Sequence, residues 1–385
     1  MSLFFIVSTL LTISIVVWLL IFIDAKLGLQ KINRLEDEPV AQDGPLVSII
    51  VAARNEEKAV RKSLQSQFLQ SYHHLEWILV NDRSTDNTPN IMNERQSANK
   101  NVNVIHITDL PLGWLGKNHA LFVGAKQARG ELLLFTDADV LFHKEAIGKA
   151  IHYFIKHELD HLTAAPNLRG QRIWLNSFIA FFMFGFSYFK RPWLANNPRS
   201  KVGIGIGAFN LVRKEAYEKL GTHEVIKMRP DDDLMLGKKM KEKGFKHRMI
   251  TALTLLEVEW YSTLKEALIG LEKNTFAGLH YRVSMVLFAI FGVFVSQVLP
   301  FLTLFAFDRT LITLSIGNIV LLGMIYSMII KRMTNYSPWM FLLFPFTAIL
   351  FIYSIIRACF LTFMRGGIIW RGTKYRLKDL RDNKA

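Results

Sequence analysis

Two aspartates one residue apart, Asp137 and Asp139, lie in LLLFTDADVLF (132–142), directly behind a run of apolar residues. Like charges that close repel unless something positive sits between them. A divalent cation that also holds a phosphate-bearing substrate would supply that charge. A solvated strand end that caps the next helix would need no ligand. A second acidic group, RPDDDLMLGKKMKEKG (229–244), sets three aspartates at what reads as a helix start, a position the helix dipole favours by itself. Leu234, Met235 and Leu236 then begin an apolar face that would bury part of that helix and hold the carboxylates in place. A carboxylate held beside a metal and a diphosphate could take a proton from an incoming hydroxyl. In NDRSTDNT (81–88), Asp82 could accept hydrogen bonds from a nucleotide base edge; a helix cap is the plainer role, which Ser84 or Asp86 would also fill. GWLGKNHA (113–120) places Lys117 at a glycine-rich turn before a helix, as a phosphate neighbour or as a solvated surface lysine.

These residues need a frame. From residue 46 the chain alternates short apolar runs, LVSIIVAA (46–53), LEWILVN (75–81), VNVIHI (102–107) and ELLLFTD (131–137), with polar helical stretches. Nearly continuous apolar strands separated by amphipathic helices predict an α/β protein with a parallel sheet covered on both faces. In such sheets ligands bind beyond the carboxyl ends of the strands. Three of the four strands end in polar chemistry: Arg54-Asn55-Glu56, Asn81-Asp82, and Asp137 with Asp139.

In order along the chain come VSIIVAARNEE, VNDRSTDNT, GKNHAL…GAKQARGELLLFTDADV, GIGIGAFNLVRKEAYEKLG and DDDLMLGKKMKEKG. This series, covering about 46–280, resembles the family 2 glycosyltransferases, enzymes with a GT-A fold (Rossmann-like, mainly parallel sheet). GWLGKNHA, GLEKNTFAG (270–278), an N-terminal anchor and IIWRGTKY (368–375) look more like a membrane-bound branch that includes carotenoid-acid, hopanoid-associated and ceramide-type transferases. The resemblance implies that Ala53, Asn55, Glu56 and Asp82 line a nucleotide pocket, with Lys117 near the base or diphosphate. It implies that Asp137 faces the ribose or sugar, that Asp139, with Asp137 beside it, binds Mg²⁺ or Mn²⁺, and that the catalytic pair falls on Asp232 and Asp233, Asp233 being the general base. GIGIGAF (203–209) would shape the acceptor side. The departures are Arg83 where the family usually has glycine, Asp232 for the commoner glutamate, and Thr373 where arginine is frequent. The Gln-x-x-Arg-Trp motif of polymer-making relatives is missing, which points to a single transfer, and one in-line displacement would invert the anomeric configuration, as the resemblance also implies. The implied donor is a nucleotide sugar, a UDP-sugar first among them. The rival readings are a membrane nucleotidyltransferase and an inactive transferase-like scaffold.

Composition sets the surroundings. The 385 residues are 51% hydrophobic, with 29 phenylalanines and a net charge of +15. Residues 2–23 carry no charge and are long enough to cross a bilayer; with no basic region before them and no small-x-small site after, an uncleaved anchor (1–25) is expected. Apolar segments at 283–307, 310–330 and 338–364 close the chain, leaving a catalytic region over 40–280 and a basic tail over 365–385. The nearly apolar 173–189 would lie in the membrane interface or in a core. Basic residues beside membrane segments account for much of the excess charge, so nucleic acid need not be invoked, and the expected partners are the membrane, the donor and a lipid or other hydrophobic acceptor. The catalytic region is expected on the cytoplasmic face of the cell membrane. Three spanning C-terminal segments would then put the basic tail outside, so one of them, 338–364, is expected to be re-entrant or interfacial, with Pro338 starting it and Pro345 interrupting it. The one cysteine, Cys359, permits no intrachain disulfide.

Overall fold

Val47–Ala53 (β1), Leu75–Asp82 (β2), Val102–Ile107 (β3) and Leu132–Asp137 (β4) form where the apolar runs predict strands. The computed structural model describes residues 3–279, 281–370 and 373–377; Arg371, Lys378, Arg381 and Lys384 of the basic tail lie outside them. Contacts divide the chain into two compact units, Ile32–Arg169 with Pro192–Glu259, and Met1–Lys31 with Gly170–Arg191 and Trp260–Ala385. Residues 170–191 and 260–280, assigned to the catalytic region on sequence, therefore group with the apolar helices.

The first unit is an eight-stranded sheet in the order β3-β2-β1-β4-β7-β6-β8-β5, completed by Leu141–Phe142 (β5), His161–Arg169 (β6), Asn210–Arg213 (β7) and His247–Glu259 (β8). The half from β3 to β4 is parallel, as expected. The other half is mixed: β7 runs antiparallel to β4 and β6, β6 and β8 are parallel, and β5 is antiparallel to β8. Val47, Ile49 and Val51 face one core and Ile50 the other, with helices on both sides, which is why β1 has no polar alternation. Gly124 in helix Gly116–Gln127 lets that helix close on the sheet, since a Cβ there would stand 2.7 Å from Ile50 and 3.0 Å from Val80.

Only residues 138–140 separate β4 from β5, though three strands lie between them in the sheet. From Asp137 to Leu141 the chain reaches ~14 Å at full stretch, less than the ~19 Å of four strand spacings. The second half of the sheet must therefore curl back toward β4, and Asp139 lies on that crossing.

The second unit holds the long apolar helices. Among the described residues, five are long and apolar enough to cross a membrane: Leu3–Leu29, Ile173–Lys190, Val283–Thr303, Arg309–Met333 and Pro338–Arg365. Pro345 does not interrupt the last of these. A 3₁₀ turn covers Pro338–Leu343, and Pro345 sits in the first turn of helix Phe344–Arg365, where a missing N–H costs nothing. A π-helical turn at Phe294–Val298 breaks the regular ladder of the third span, and the Ser296 carbonyl accepts from Trp18 Nε1 at 3.3 Å. Glu272, on helix Leu264–Gly278, pairs with both Arg357 (2.8 Å) and Arg365 (2.7 Å) of the last helix.

Candidate active site

The loops after β1 and β2 are stitched to each other. Asn55 and Arg83 both take left-handed backbone angles, φ 57° and 56°. The Asn55 amide donates to Ser84 Oγ (3.0 Å), and Asn55 Oδ1 accepts from the Thr85 amide (2.8 Å). The Glu56 amide donates to Thr88 Oγ1 at 2.8 Å, so these loop ends are preset rather than slack. Asp82 is buried and accepts from Arg83 Nε at 2.7 Å. Left-handed geometry is costly for a residue other than glycine, and at Arg83 it coincides with the ion pair to Asp82. Gly116 lies against the same pair; a Cβ there would collide with Asp82 Oδ2. The sequence reading gave Asp82 to a nucleotide base, and the structure gives its carboxylate a protein partner.

The acidic groups from β4 and from helix Asp232–Glu242 meet. Lys117, Asp137, Gly207, His223, Asp232 and Asp233 line one pocket. Lys117 Nζ is 2.7 Å from Asp137 Oδ1 and 3.7 Å from Asp232 Oδ2. Burial opposes charge on this lysine, but Asp137, Asp232 and Asp233 more than reverse the effect and raise its pKa, so it is a fixed cation. Helix Gly116–Gln127 brings Lys117 there, and Asn118 beside it locks the approach to the aspartates: its Nδ2 donates to the carbonyls of Ile226 (2.8 Å) and Arg229 (2.9 Å). Asp231 is held apart by two 2.9 Å bonds from Arg229.

Asp233 is placed by backbone. The Gly207 amide donates to its Oδ2 at 2.7 Å, and the Leu234 amide to its Oδ1 at 2.7 Å. Burial raises the carboxyl's pKa and Lys117 opposes the rise; the net shift is upward, toward greater basicity. The glycines of GIGIGAF make the approach possible: a Cβ on Gly205 would run into the Asp233 carbonyl, one on Gly203 into the Gly237 carbonyl, and one on Gly207 into Asp137 Oδ2. On the far side, the Gly207 carbonyl accepts from the Asp137 amide at 3.0 Å and the Ala208 carbonyl from Thr136 Oγ1 at 2.8 Å. The loop assigned to the acceptor side therefore also sets the separation of Asp137 and Asp233.

With this geometry the comparisons with known proteins agree. Residues 48–221 match the family described as Glycosyl transferase family 2. Over that stretch the chain is similar to glycosyltransferase family 2. A 4,4'-diaponeurosporenoate glycosyltransferase of Staphylococcus haemolyticus is 36% identical over 105 residues, 27% of each chain. An uncharacterized glycosyltransferase of Haemophilus influenzae is 34% identical over 120 residues, 31% of this chain and 35% of that one. The matched stretch thus spans about a quarter to a third of these curated relatives. Among solved structures, a mannosyltransferase from Pyrobaculum calidifontis, in complex with GDP-Man and Mn2+, has the same fold: TM-score 0.55 at 17% identity, over 93% of this chain and 98% of that one.

Within the matched stretch, Asp139 stands apart from Lys117's pairings. Among the described residues no basic side chain forms an ion pair with it, and no group of three or more His, Cys, Asp or Glu is arranged to hold a metal. Burial, then the charges of Asp137 and Glu56, push its carboxyl up to about 7. Lys117 opposes that rise only in part, and carboxylate oxygens are the donors that Mg²⁺ or Mn²⁺ prefers when phosphates and waters complete the shell. The residues fit such an ion.

Sequence reasoning missed the residues around the aspartates. Gly207 acts through its amide, which no residue type signals. His161, His247 and Asn210 lie in strands of the mixed half of the sheet, where no periodic pattern exposed them. His223, buried against Tyr217 with 2.6 Å between Tyr217 Oη and Nδ1, reads in sequence as an ordinary helix-end histidine.

Proposed function

We propose that this protein transfers a sugar from a nucleotide-sugar donor to a hydroxyl or carboxyl of a lipid-soluble acceptor, once per encounter and with inversion. The observation that carries the reading is Asp233, raised in basicity and aimed by the Gly207 amide, across the glycine loop from the Asp137–Lys117 pair. With a hydroxyl acceptor, Asp233 takes its proton as the oxygen attacks the anomeric carbon and the nucleoside diphosphate departs, whereas a carboxylate acceptor attacks without proton removal; Asp232 and Lys117 hold the local charge. Ala53, Asn55, Glu56 and Asp82 receive the nucleotide at the ends of β1 and β2, a reading supported by their match to the family's motifs. There Asn55 and Glu56 secure the loops and Arg83 shares Asp82 with the base. Asp139, with Asp137 beside it, would hold Mg²⁺ or Mn²⁺, and the ion would offset charge on the departing diphosphate. The five long apolar helices and the similarity to a transferase named for a carotenoid acid support a membrane location and a hydrophobic acceptor. The cytoplasmic orientation of the catalytic unit and an interfacial position for 173–190 belong to the same reading.

The test is hydrolysis of a panel of UDP- and GDP-sugars by the full chain in detergent with Mn²⁺, water standing in for the acceptor. One donor should turn over slowly. Asp139→Ala should abolish turnover, while Asp233→Asn should lower it ~10²–10⁴-fold without weakening donor binding. Binding of no nucleotide sugar by the folded protein would sink the proposal in favour of a lipid-linked donor or an inactive scaffold.

A further inference from the structure

Behind the glycine loop lies a polar chain that the proposed transfer does not use. His161 opens β6 and His247 opens β8, as register partners with rings stacked 4.8 Å apart at 22°. Both are fully or almost fully buried, as is Asn210 at the start of β7. His161 Nδ1 and His247 Nδ1 are 2.6 Å apart, and His161 Nε2 is 3.1 Å from Asn210 Oδ1. Two amides of the loop end on this chain: Ile206 donates to Asn210 Oδ1 at 3.3 Å and Ile204 to His247 Nε2 at 3.3 Å.

The proton positions follow by elimination. Asn210 Oδ1 accepts from a backbone amide, so His161 Nε2, which also meets it, must carry hydrogen. A neutral His161 then has a bare Nδ1, His247 must donate from its own Nδ1, and His247 Nε2 is left bare to accept from Ile204. Every link is satisfied with both rings neutral. A proton added to either ring would set N–H against N–H, at the ring contact or at the Ile204 amide. Burial keeps the rings neutral: it holds His161 down to about 4 and, with His161 and Lys241 adding to it, His247 well below the ordinary histidine value.

We infer that His161, His247 and Asn210 are positioning residues for Asp233, acting through residues 204–207. The chain pins the amides of Ile204 and Ile206 from behind, and the next amide, Gly207, holds the Asp233 carboxylate in front. A loop of alternating glycines has little stiffness of its own. Unpinned, the Gly207 amide drifts, and Asp233 loses the bond that keeps its Oδ2 aimed. This rests on Asp233 being the base.

The experiment is a double-mutant cycle on hydrolysis of UDP-glucose and GDP-mannose by the full chain in detergent with Mn²⁺. His247→Phe keeps the ring's bulk and removes both nitrogens; Asn210→Ala removes only the shared acceptor. Each should lower kcat by about 10–100-fold with the donor KM within about threefold, since a small misplacement costs that much. In the Asp233→Asn background the same change should cost less than about twofold, because nothing is left to aim. An equal loss in both backgrounds, or a changed KM with kcat intact, overturns the positioning role. If His247→Phe fails to fold, Asn210→Ala runs the same cycle with the same two outcomes. Asp233→Asn alone separates the failures: wild-type turnover there removes the base assignment, whereas a normal drop with additive losses removes only the positioning role.

Discussion

The two units of this chain bury polar groups by different means. In the α/β unit, buried charges meet charged partners, some of which reach solvent: Lys117 meets Asp137 and Asp232, Asp82 meets Arg83, and Glu76 lies between Ser48 (2.6 Å) and the exposed Arg129 (2.7 Å). In the helical unit, most buried polar groups are neutral and bond to helix backbone or to each other. Asn318 Nδ2 donates to the carbonyls of Leu11 and Leu314, both at 3.0 Å; Thr303 and Ser315 share a 2.7 Å hydroxyl pair; Gln297 Nε2 donates to Tyr188 Oη at 2.9 Å. A sheet open to solvent at its strand ends can recruit ions to help carry buried charge. Helices fit for a bilayer have no such help, so neutral amides and hydroxyls are the cheaper polar links. The exception is Glu272 with Arg357 and Arg365, and it should behave as an exception.

Glu272→Gln should show the largest effect on stability. It leaves two half-buried arginines on an apolar helix without their anion, so the loss should sit at the low end of what breaking a buried pair costs, about 3 kcal/mol, read as a lower melting temperature in detergent. Glu76→Ala should cost less, about 1–3 kcal/mol, because the Ser48 hydroxyl and the Arg129 amide lose their acceptor. Glu76 also carries a pH signature. Burial pushes its pKa up, but the Ser48 hydroxyl and the Arg129 amide and guanidinium outweigh that and hold it below the usual value. Between the lowered folded pKa and the ordinary unfolded one the native state binds fewer protons, so stability there rises with pH. The wild-type advantage over Glu76→Ala should therefore be full above the ordinary carboxylate range and shrink as pH falls through the folded value. Smallest should be Asn318→Leu, about 0.6 kcal/mol, since the helix ladders survive it. A loss there as large as that of Glu272→Gln would dissolve the contrast between the units.

The same contrast explains what the sequence disclosed. β1 to β4 are legible because each is a short, nearly unbroken apolar run ending in polar residues. β6, HLTAAPNLR, begins with histidine and contains proline, and β5 is two residues long; their pairing depends on distant partners rather than on local pattern. The apolar spans were visible from length alone, although Pro345 belongs to a helix start and not to a break. At the site, the aspartates and Lys117 announce themselves by charge. What aims them, the Gly207 amide and the neutral histidine pair, has no charge or period to read.

Residues 203–207 have one further consequence. Alternating glycines leave one edge of this strand-like loop with no side chain, and that edge meets the carbonyls of Asp233 and Gly237. The seam is backbone on backbone. Rotamer exchange, the usual source of slack in a packed interface, has nothing to act on there. At Gly207 the contact changes to a single 2.7 Å hydrogen bond onto the Asp233 carboxylate, so warming should loosen the aim of Asp233 before the backbone seam parts, and turnover should fade ahead of melting.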